Sequence, residues 1–276
     1  MKKDIKPTTI LALRFRNAAI RLLFVTVAVV TALFFLFECR VRSVRVEGLV
    51  HVPEPAIMDT AGIRVGRHLY AISESKLARN ITESSPYVRA VTLERTLPHT
   101  VTIRVEEYDL AYYVFFEGVY YLLSDDLLIL EETTPEDAAE LGAVPLLTQP
   151  IKPPKLPKDA PKDTPIRLTV GERIAFVTQS DLEWTQKLLD AIRMTDYADN
   201  VTSIDLSDRY ELSLTVSDKY TVLLGNEKDF ARKLTRVGGA LRHATETMFG
   251  VTGTVYARSD APVTFEITGV IETEGT

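Results

Sequence analysis

The longest apolar run in the chain lies near its N-terminus. Residues 18–37 read AAIRLLFVTVAVVTALFFLF, and Arg21 is the only charged residue among them. A helix of this length, at about 1.5 Å per residue, spans roughly the 30 Å hydrocarbon layer of a bilayer. A buried helix of a soluble domain would carry polar residues on one face, and this run has no polar face. The pattern therefore predicts a transmembrane helix over residues 18–37.

A cleaved signal peptide also begins with basic residues and then becomes apolar. Its end would carry small residues before the cleavage site. This run ends instead in Phe37, Glu38 and Cys39, which favours an uncleaved anchor. Residues 1–21 hold six Lys or Arg and one acid, and the positive-inside rule then predicts a cytoplasmic tail over residues 1–17. Everything after the helix is expected outside the cytoplasm, either in a periplasm or on the cell exterior.

Alternating apolar and polar residues indicate a small α+β unit directly after the membrane. Ile72 and Leu77 stand where a hydrophobic staple flanks an N-cap at Ser73, which predicts the start of a helix. The predicted elements are a strand at 41–48, helices at 53–61 and from Ser73, and strands at 88–95 and 100–106. This strand-helix-helix-strand-strand order is that of a POTRA module, which we predict for residues 40–108.

Residues 109–270 are predicted to form a larger β domain with packed helices. The last helix has apolar residues at spacings of 4, 3, 4, 3 and 4, namely Phe230, Leu234, Val237, Leu241, Ala244 and Met248. A partner-binding coiled coil would show the same spacing. Gly238 and Gly239 would weaken a free helix by about 1 kcal/mol each, so packing on the adjacent sheet is favoured.

Further strands of the β domain follow from alternation and turn residues. Gly250 and Gly253 are interpreted as turn residues. Ser180 is expected to cap an earlier helix, with Leu182, Leu189 and Ile192 on one face. The predicted segments are a hairpin at 117–126 and strands at 144–148, 201–206, 211–216, 220–224, 252–258 and 263–268.

One segment of the β domain is too rich in proline to be a strand. Residues 150–165 carry six prolines and four lysines, and they are predicted to form an extended exposed loop. A polyproline ligand or a basic contact to anionic wall polymer are alternatives, and a plain spacer is favoured. Residues 271–276 are predicted to be a C-terminal tail. The predicted fold class is α+β, with one N-terminal transmembrane helix, a POTRA domain of β-α-α-β-β order and a β domain of mixed or antiparallel strands.

Charge and composition point away from nucleic acid and from catalysis. Beyond residue 21 the chain has 26 bases and 37 acids, so this acidic body is a poor partner for phosphate groups. The four histidines show no metal-ligand spacing, and the sole cysteine allows no internal disulfide. No nucleophile or phosphate-loop motif is present. We therefore predict no catalytic residue, metal, cofactor or small-molecule substrate, and a function based on contact.

Two stretches of the chain resemble the FtsQ/DivIB family of bacterial cell-division proteins. They read VRSVRVEGLVHVPEPAIMDTAGIRVGRHLYAIS from residue 41 and PYVRAVTLERTLPHTVTIRVEEYDLAYYV from residue 86. The likeness continues in order through the β domain, to about residue 270. The resemblance implies a noncatalytic scaffold of the divisome at the septum, whose POTRA domain aids recruitment. Its β domain would bind the bitopic coiled-coil proteins FtsB/DivIC and FtsL, and thereby support septal peptidoglycan synthesis.

The resemblance places the partner-binding strand near the end of the β domain, at Val263, Thr264, Phe265, Glu266 and Ile267. A final strand often lies at a sheet edge, where it can accept a partner strand. Phe265→Asp or Phe265→Pro is then expected to abolish partner capture and leave the fold intact. The alternative is an ordinary strand whose apolar face lies in the core, and both can hold together.

Two other functional classes compete with the scaffold. A membrane-anchored envelope enzyme acting on peptidoglycan could use the acidic pairs at 106–107, 125–126 and 131–132. Adjacent residues on a strand point to opposite faces, so such pairs seldom converge on one bond. A transmembrane stress sensor would need a cytoplasmic signalling module, for which residues 1–17 leave little room.

Overall fold

A computed structural model describes residues 7–155, 161, 165–247, 250–258 and 262–270 of the 276-residue chain. The chain divides into two compact units between Glu107 and Tyr108. Each unit has its own hydrophobic core. The core residues of the first unit lie between Val41 and Val105, and those of the second lie between Tyr112 and Ala257.

The first element is a long N-terminal helix, α1, from Pro7 to Phe37. Within the described residues, it is the one helix that is long and apolar enough to cross a membrane, over Ala18–Phe35. None of that stretch is buried against the rest of the chain. The helical backbone begins before the predicted start at Ala18. Proline suits the first turn of a helix, where its missing N–H is not needed.

The remainder of the first unit has the predicted POTRA order. Its elements are β1 (Ser43–Glu47), α2 (Glu54–Ala61), α3 (Glu74–Ser84), β2 (Val88–Thr96) and β3 (Thr100–Glu107). The three strands form a sheet in the order β1-β3-β2, with β1 parallel and β2 antiparallel to β3. Ile57, Leu77 and Ile81 of the two helices are buried in the core of this unit.

The loop after β1 is held against the end of β3. Gly48 has φ +87°, and a β-carbon there would lie 2.1 Å from the Val105 carbonyl oxygen. The Glu107 carboxylate accepts hydrogen bonds of 2.8–3.2 Å from the backbone N–H groups of residues 50–52. The Val-Glu-Gly segment and the final glutamate of β3 thus meet at one end of the sheet.

Two predicted helix caps differ in detail from the structure. Ser73 is the N-cap residue of α3, but its hydroxyl bonds to the Ser75 hydroxyl and not to a backbone N–H. The helix predicted from Ser180 begins instead at Gln179 with Thr178 as its N-cap, so Ser180 lies inside the first turn. Serine suits caps and first turns alike, so the sequence alone placed this N-cap two residues too late.

The second unit is built on a nine-stranded sheet in the order β12-β11-β10-β9-β8-β7-β4-β5-β6. Pairing is parallel between β4 and β7, between β7 and β8, and between β10 and β11, and antiparallel elsewhere. The strands are β4 (Leu110–Phe116), β5 (Val119–Ser124), β6 (Ile129–Thr133), β7 (Val144–Leu147), β8 (Val201–Asp205), β9 (Leu212–Val216), β10 (Tyr220–Gly225), β11 (Val251–Tyr256) and β12 (Thr264–Val270). The predicted mixture of pairings is therefore present.

Among the described residues, three α-helices accompany this sheet, namely α4 (Pro135–Glu140), α5 (Gln179–Arg193) and α6 (Phe230–Thr247). The predicted stripe of α6 is buried from Phe230 to Ala244 and packs on β10 and α5, which confirms packing inside the domain. Met248, the last residue of that stripe, lies outside the described residues. Gly238, next to Val237 of the stripe, sits close to Tyr197, whose hydroxyl donates to the Leu234 carbonyl oxygen at 3.1 Å.

The start of the proline-rich segment is attached to the second unit. Ile151 forms an isolated antiparallel bridge with Phe176, and the Lys152 N–H donates to the Ala175 carbonyl oxygen at 2.7 Å. Lys152, Pro153 and Lys155 are exposed, as expected of a surface loop. Most of residues 156–164 lie outside the described residues.

Candidate functional site

The strand predicted to bind a partner is β12, at one end of the nine-stranded sheet. It pairs antiparallel with β11, and in the part of the chain that the structure describes no strand lies on its other side. Thr264, Phe265, Glu266 and Ile267 lie in this strand, and Val263 comes just before it. The structure thus gathers the five predicted residues on one sheet edge. Their role in binding stays a prediction.

The side chain of Phe265 faces the core of the second unit. Its ring lies 5.9 Å from that of Tyr220, edge to face. Its outer ring carbon would be 2.5 Å from a β-carbon at Gly253, so only glycine leaves room for the ring. Phe265 and Val263 are half-buried against the core. For these two residues, β12 is therefore an ordinary strand whose apolar face packs on the core, which is the alternative predicted from the sequence.

Gly253 has two interpretations in the sequence, as a turn residue and as part of the predicted strand at 252–258; the strand is correct and the turn is wrong. It is buried in the middle of β11, opposite Ile267 in the register. Gly250, by contrast, precedes the strand with φ +71°. A glycine inside an alternating strand pattern signals a close approach, and this was the available clue.

The remaining side chains of β12 are accessible. Thr264 and Glu266 are exposed on the face opposite Phe265, and Ile267 is 53% exposed. Glu266 accepts a 2.7 Å hydrogen bond from the Tyr256 hydroxyl, and this bond raises the pKa of that phenol. The pair links the two outermost strands across their exposed face.

The directions of the N–H and C=O groups of β12 follow from the hydrogen bonds between β10 and β11. The Gly253 N–H donates to the carbonyl oxygen of Lys219, just before β10, and the Ala257 N–H donates to that of Leu223 in β10. Backbone groups alternate in direction along a strand, so Thr254 and Tyr256 turn theirs towards β12. Their register partners, Glu266 and Thr264, complete that ladder.

Phe265 and Ile267, which alternate with those partners, therefore turn their N–H and C=O groups outward. Thr268 has no partner on β11, because the register shifts there by one residue. This bulge ends the regular part of the edge. The site is a short open edge with two outward-facing residues in alternate positions.

A groove of the second unit also carries charged side chains. It has a volume of about 550 Å³ between α5 and α6 and includes Asp190, Asp196 and Arg242 in its lining. Asp190 is paired with Arg193, and Asp196 lies 3.1 Å from Arg242. Both carboxylates are therefore paired with arginines.

The adjacent acidic pairs give a similar result. Asp125 lies 2.8 Å from Arg193, and Asp126 lies 3.7 Å from Arg173. Burial raises the pKa of the neighbouring Tyr112 to about 12, so this phenol stays protonated. Among the described residues, no three His, Cys, Asp or Glu side chains are grouped to hold a metal ion.

Comparison with known proteins matches most of the first unit to a family and relates parts of the chain to named proteins. Residues 39–108 match the family described as POTRA domain, FtsQ-type. A cell division protein DivIB of Clostridium botulinum is 22% identical over 119 residues, 43% of this chain and 46% of that protein. The DivIB of Geobacillus kaustophilus is 25% identical over 185 residues, 64% of this chain and 61% of its own length.

A protein named FtsQ is also similar to this chain. The cell division protein FtsQ of Corynebacterium glutamicum is 28% identical over 75 residues, 27% of this chain and 33% of that protein. The chain spans about half the length of the first DivIB relatives that it matches. The POTRA match and the relatives of both names together support the resemblance of this chain to the FtsQ/DivIB family of bacterial cell-division proteins.

Proposed function

We propose that the chain is a noncatalytic, membrane-anchored scaffold of the bacterial division machinery. In this proposal α1 spans the membrane with its N-terminus in the cytoplasm, and both units lie outside at the division septum. The POTRA domain would serve recruitment to the septum. The β domain would hold FtsB/DivIC-like and FtsL-like proteins, and through them support septal peptidoglycan synthesis. The observation that carries the proposal is the open edge of β12.

An open edge supports binding by β-augmentation. A partner segment in extended conformation could pair with the outward N–H and C=O groups of Phe265 and Ile267, which repeat at about 6.8 Å, two residues along a strand. The exposed Ile267 would supply an apolar contact for selectivity. The acidic charge of the exterior region would attract a basic partner and mainly raise the association rate.

The test uses the full chain in detergent or nanodiscs and the exterior segments of a coiled-coil division partner. Ile267→Pro removes an outward N–H without breaking the ladder to β11. We expect it to weaken partner capture at least tenfold, whereas Ile267→Ala, which keeps the N–H, weakens capture less. Unchanged capture by Ile267→Pro would refute the edge-strand mechanism. Amide exchange of β11 serves as the control that the sheet is intact.

Phe265 is a poorer position for this test. Its ring packs on Tyr220 and over Gly253, so an aspartate there would leave a half-buried charge and a hole in the core. Loss of binding by Phe265→Asp would not separate a lost contact from a damaged sheet. We therefore expect Phe265→Asp to disturb the fold, contrary to the expectation from the sequence.

The competing class is an envelope enzyme acting on peptidoglycan. Incubation of the full chain with purified peptidoglycan tests it directly. We expect no bond cleavage above that of a buffer control. Turnover that is lost on substitution of one carboxylate would overturn the noncatalytic assignment.

A further inference from the structure

One end of the POTRA sheet is tied to the end of α1. We define this α1-proximal end as residues 38–43, 64–70 and 96–100. The Leu69 N–H donates to the Cys39 carbonyl oxygen at 2.9 Å, and Cys39 is fully buried only two residues after α1 ends. The hairpin turn joins the same end, because the Arg42 N–H donates to the His99 carbonyl oxygen at 2.9 Å.

His68 connects the loop at 64–70 to the last turn of α1. Its Nε2 lies 2.8 Å from the Phe35 carbonyl oxygen, which can only accept, so Nε2 carries the proton. Its Nδ1 accepts the Tyr70 N–H at 3.4 Å. The rings of Phe35 and Tyr70 lie 6.4 Å apart. This loop is therefore held at the level where the apolar stretch of α1 ends.

Exposed apolar side chains of the POTRA domain concentrate at this end. Between residues 38 and 107 the large apolar side chains that are exposed are Val50, Val65, Tyr70 and Leu97. The last three lie at the α1-proximal end. Val50 lies at the opposite end of the sheet, where its N–H donates to Glu107. An aromatic residue with apolar neighbours at this level is typical of the membrane interface.

Basic side chains share the α1-proximal end. Arg40, Arg64 and Arg67 are exposed, and within the described residues none has a carboxylate oxygen within 4.0 Å. Glu38 is paired with Arg42 at 3.0 Å. The opposite end of the sheet carries acids, with β3 ending in Glu106 and Glu107. The POTRA domain is thus basic towards α1 and acidic away from it.

We propose that the α1-proximal end of the POTRA domain docks on anionic phospholipid headgroups of the bilayer that α1 spans. Val65, Tyr70 and Leu97 enter the interface, and Arg40, Arg64 and Arg67 contact lipid phosphates. Docking would orient the domain on the membrane instead of leaving it free to rotate about α1. The inference rests on the proposed membrane-spanning role of α1.

The test places a nitroxide label on two matched valines of the full chain. Val65 and Val50 are 73% and 77% exposed. Labels at Val65→Cys and Val50→Cys therefore start from nearly equal exposure and differ in which end of the sheet they occupy. Both are made in a Cys39→Ala background, because Cys39 is the only cysteine. Chains are reconstituted in nanodiscs of phosphatidylcholine alone or with phosphatidylglycerol. Collision with oxygen, which enters the bilayer, is compared with collision with a polar nickel chelate, which stays in water.

The expected result is a label at position 65 that oxygen reaches and the chelate does not, in phosphatidylglycerol nanodiscs, while the label at position 50 stays aqueous. Arg64→Gln should lower the membrane-inserted fraction at position 65 roughly fivefold, since a basic residue near an anionic surface contributes about 1 kcal/mol. Arg89→Gln, next to the opposite end of the sheet, is the charge control and should have no effect.

Two results would overturn the proposal. Equal aqueous exposure at positions 65 and 50 would show that the end is not docked. Equal insertion in neutral and anionic nanodiscs would show that anionic headgroups are not the ligand. A third label at Val27→Cys, within α1, separates this inference from the proposed function. If that label is aqueous, α1 does not span the bilayer and the anchoring role itself fails.

Discussion

At the scale of single residues, Gly48 makes the closest approach to another strand among the glycines of the POTRA domain. A β-carbon there meets the Val105 carbonyl oxygen at 2.1 Å, and the backbone has φ +87°. Gly48→Ala therefore adds a clash to the left-handed strain. We expect a loss of roughly 3 kcal/mol or more in the free energy of unfolding of the first unit. Hydrogen exchange of the β3 amides in the solubilised full chain measures it.

Gly66 is a matched control for this substitution. It has φ +88°, and nothing lies within 4 Å of its hypothetical β-carbon. Gly66→Ala should cost only the strain, about 1–2 kcal/mol. If the two alanines cost the same, the close approach of residue 48 to β3 is not what requires glycine.

Glu227 predicts a small acid dependence of stability in the second unit. Its carboxylate accepts a 2.8 Å hydrogen bond from Arg209, which lowers the pKa of Glu227 below its ordinary value. A carboxyl group with a lowered folded-state pKa stabilises the fold fully above the unfolded-state pKa of about 4.3. That contribution is lost as the pH falls through the lower folded-state pKa.

Replacing this carboxylate should remove the acid dependence that it causes. We expect Glu227→Gln to lower the free energy of unfolding at pH 7 by no more than about 1 kcal/mol, because the pair is only partly buried. Below the folded-state pKa the two proteins should converge. Urea unfolding from pH 7 to pH 3 measures the difference, and a gap that widens towards acid would contradict the assignment.

At the scale of elements, helix α6 contains two adjacent glycines in opposite environments. A β-carbon at Gly238 would lie 3.2 Å from Asp196 and 3.3 Å from the Tyr197 ring. Gly239 is exposed with nothing within 4 Å. We expect Gly239→Ala to stabilise the second unit by about 0.5–1 kcal/mol through helix propensity.

Gly238→Leu should destabilise the second unit by about 1–3 kcal/mol through overpacking. Thermal unfolding distinguishes them, and stabilisation by Gly238→Leu would disprove close packing at residue 238.

Elements with strong periodicity were predicted well, and weakly marked ones were missed. The stripe of α6 and the strands β8, β9 and β10 were expected from their spacing. Strand β6 and helix α4 were not, because Ile129–Thr133 does not alternate apolar and polar residues and Pro135–Glu140 is too short for a clear helical period. The clue for α4 was Thr134 before Pro135, since its hydroxyl accepts the Asp137 N–H as a cap at 3.1 Å.

At the scale of the whole molecule, two separate cores predict separable destabilisation. Ile103 is fully buried in the first core and Leu234 in the second. Each change to alanine should cost about 2–5 kcal/mol in its own unit. Amide exchange of the full chain should then rise after Ile103→Ala only in the first unit, and after Leu234→Ala only in the second. Loss of protection in both units from either change would show that they unfold together.

The same pair of variants bears on the proposed division of labour. If the POTRA domain recruits the chain and β12 captures the partner, mild destabilisation by Ile103→Ala should reduce septal localisation more than capture. Leu234→Ala should do the reverse. Fluorescence imaging of dividing cells and partner pull-down provide the two readouts.

The sequence by itself determined the local features of this protein. The apolar run at 18–37, the POTRA order and the amphipathic face of α6 each depend on residues near one another in the chain, so periodicity revealed them. Strand pairing depends on contacts between distant segments. The alternation of apolar and polar residues within one strand does not indicate which other strands pair with it. Only the tertiary structure showed that β12 is outermost and that Gly253 makes room for the ring of Phe265. It alone showed which β12 backbone groups face outward, because their direction is set by the ladder from Lys219 through β11.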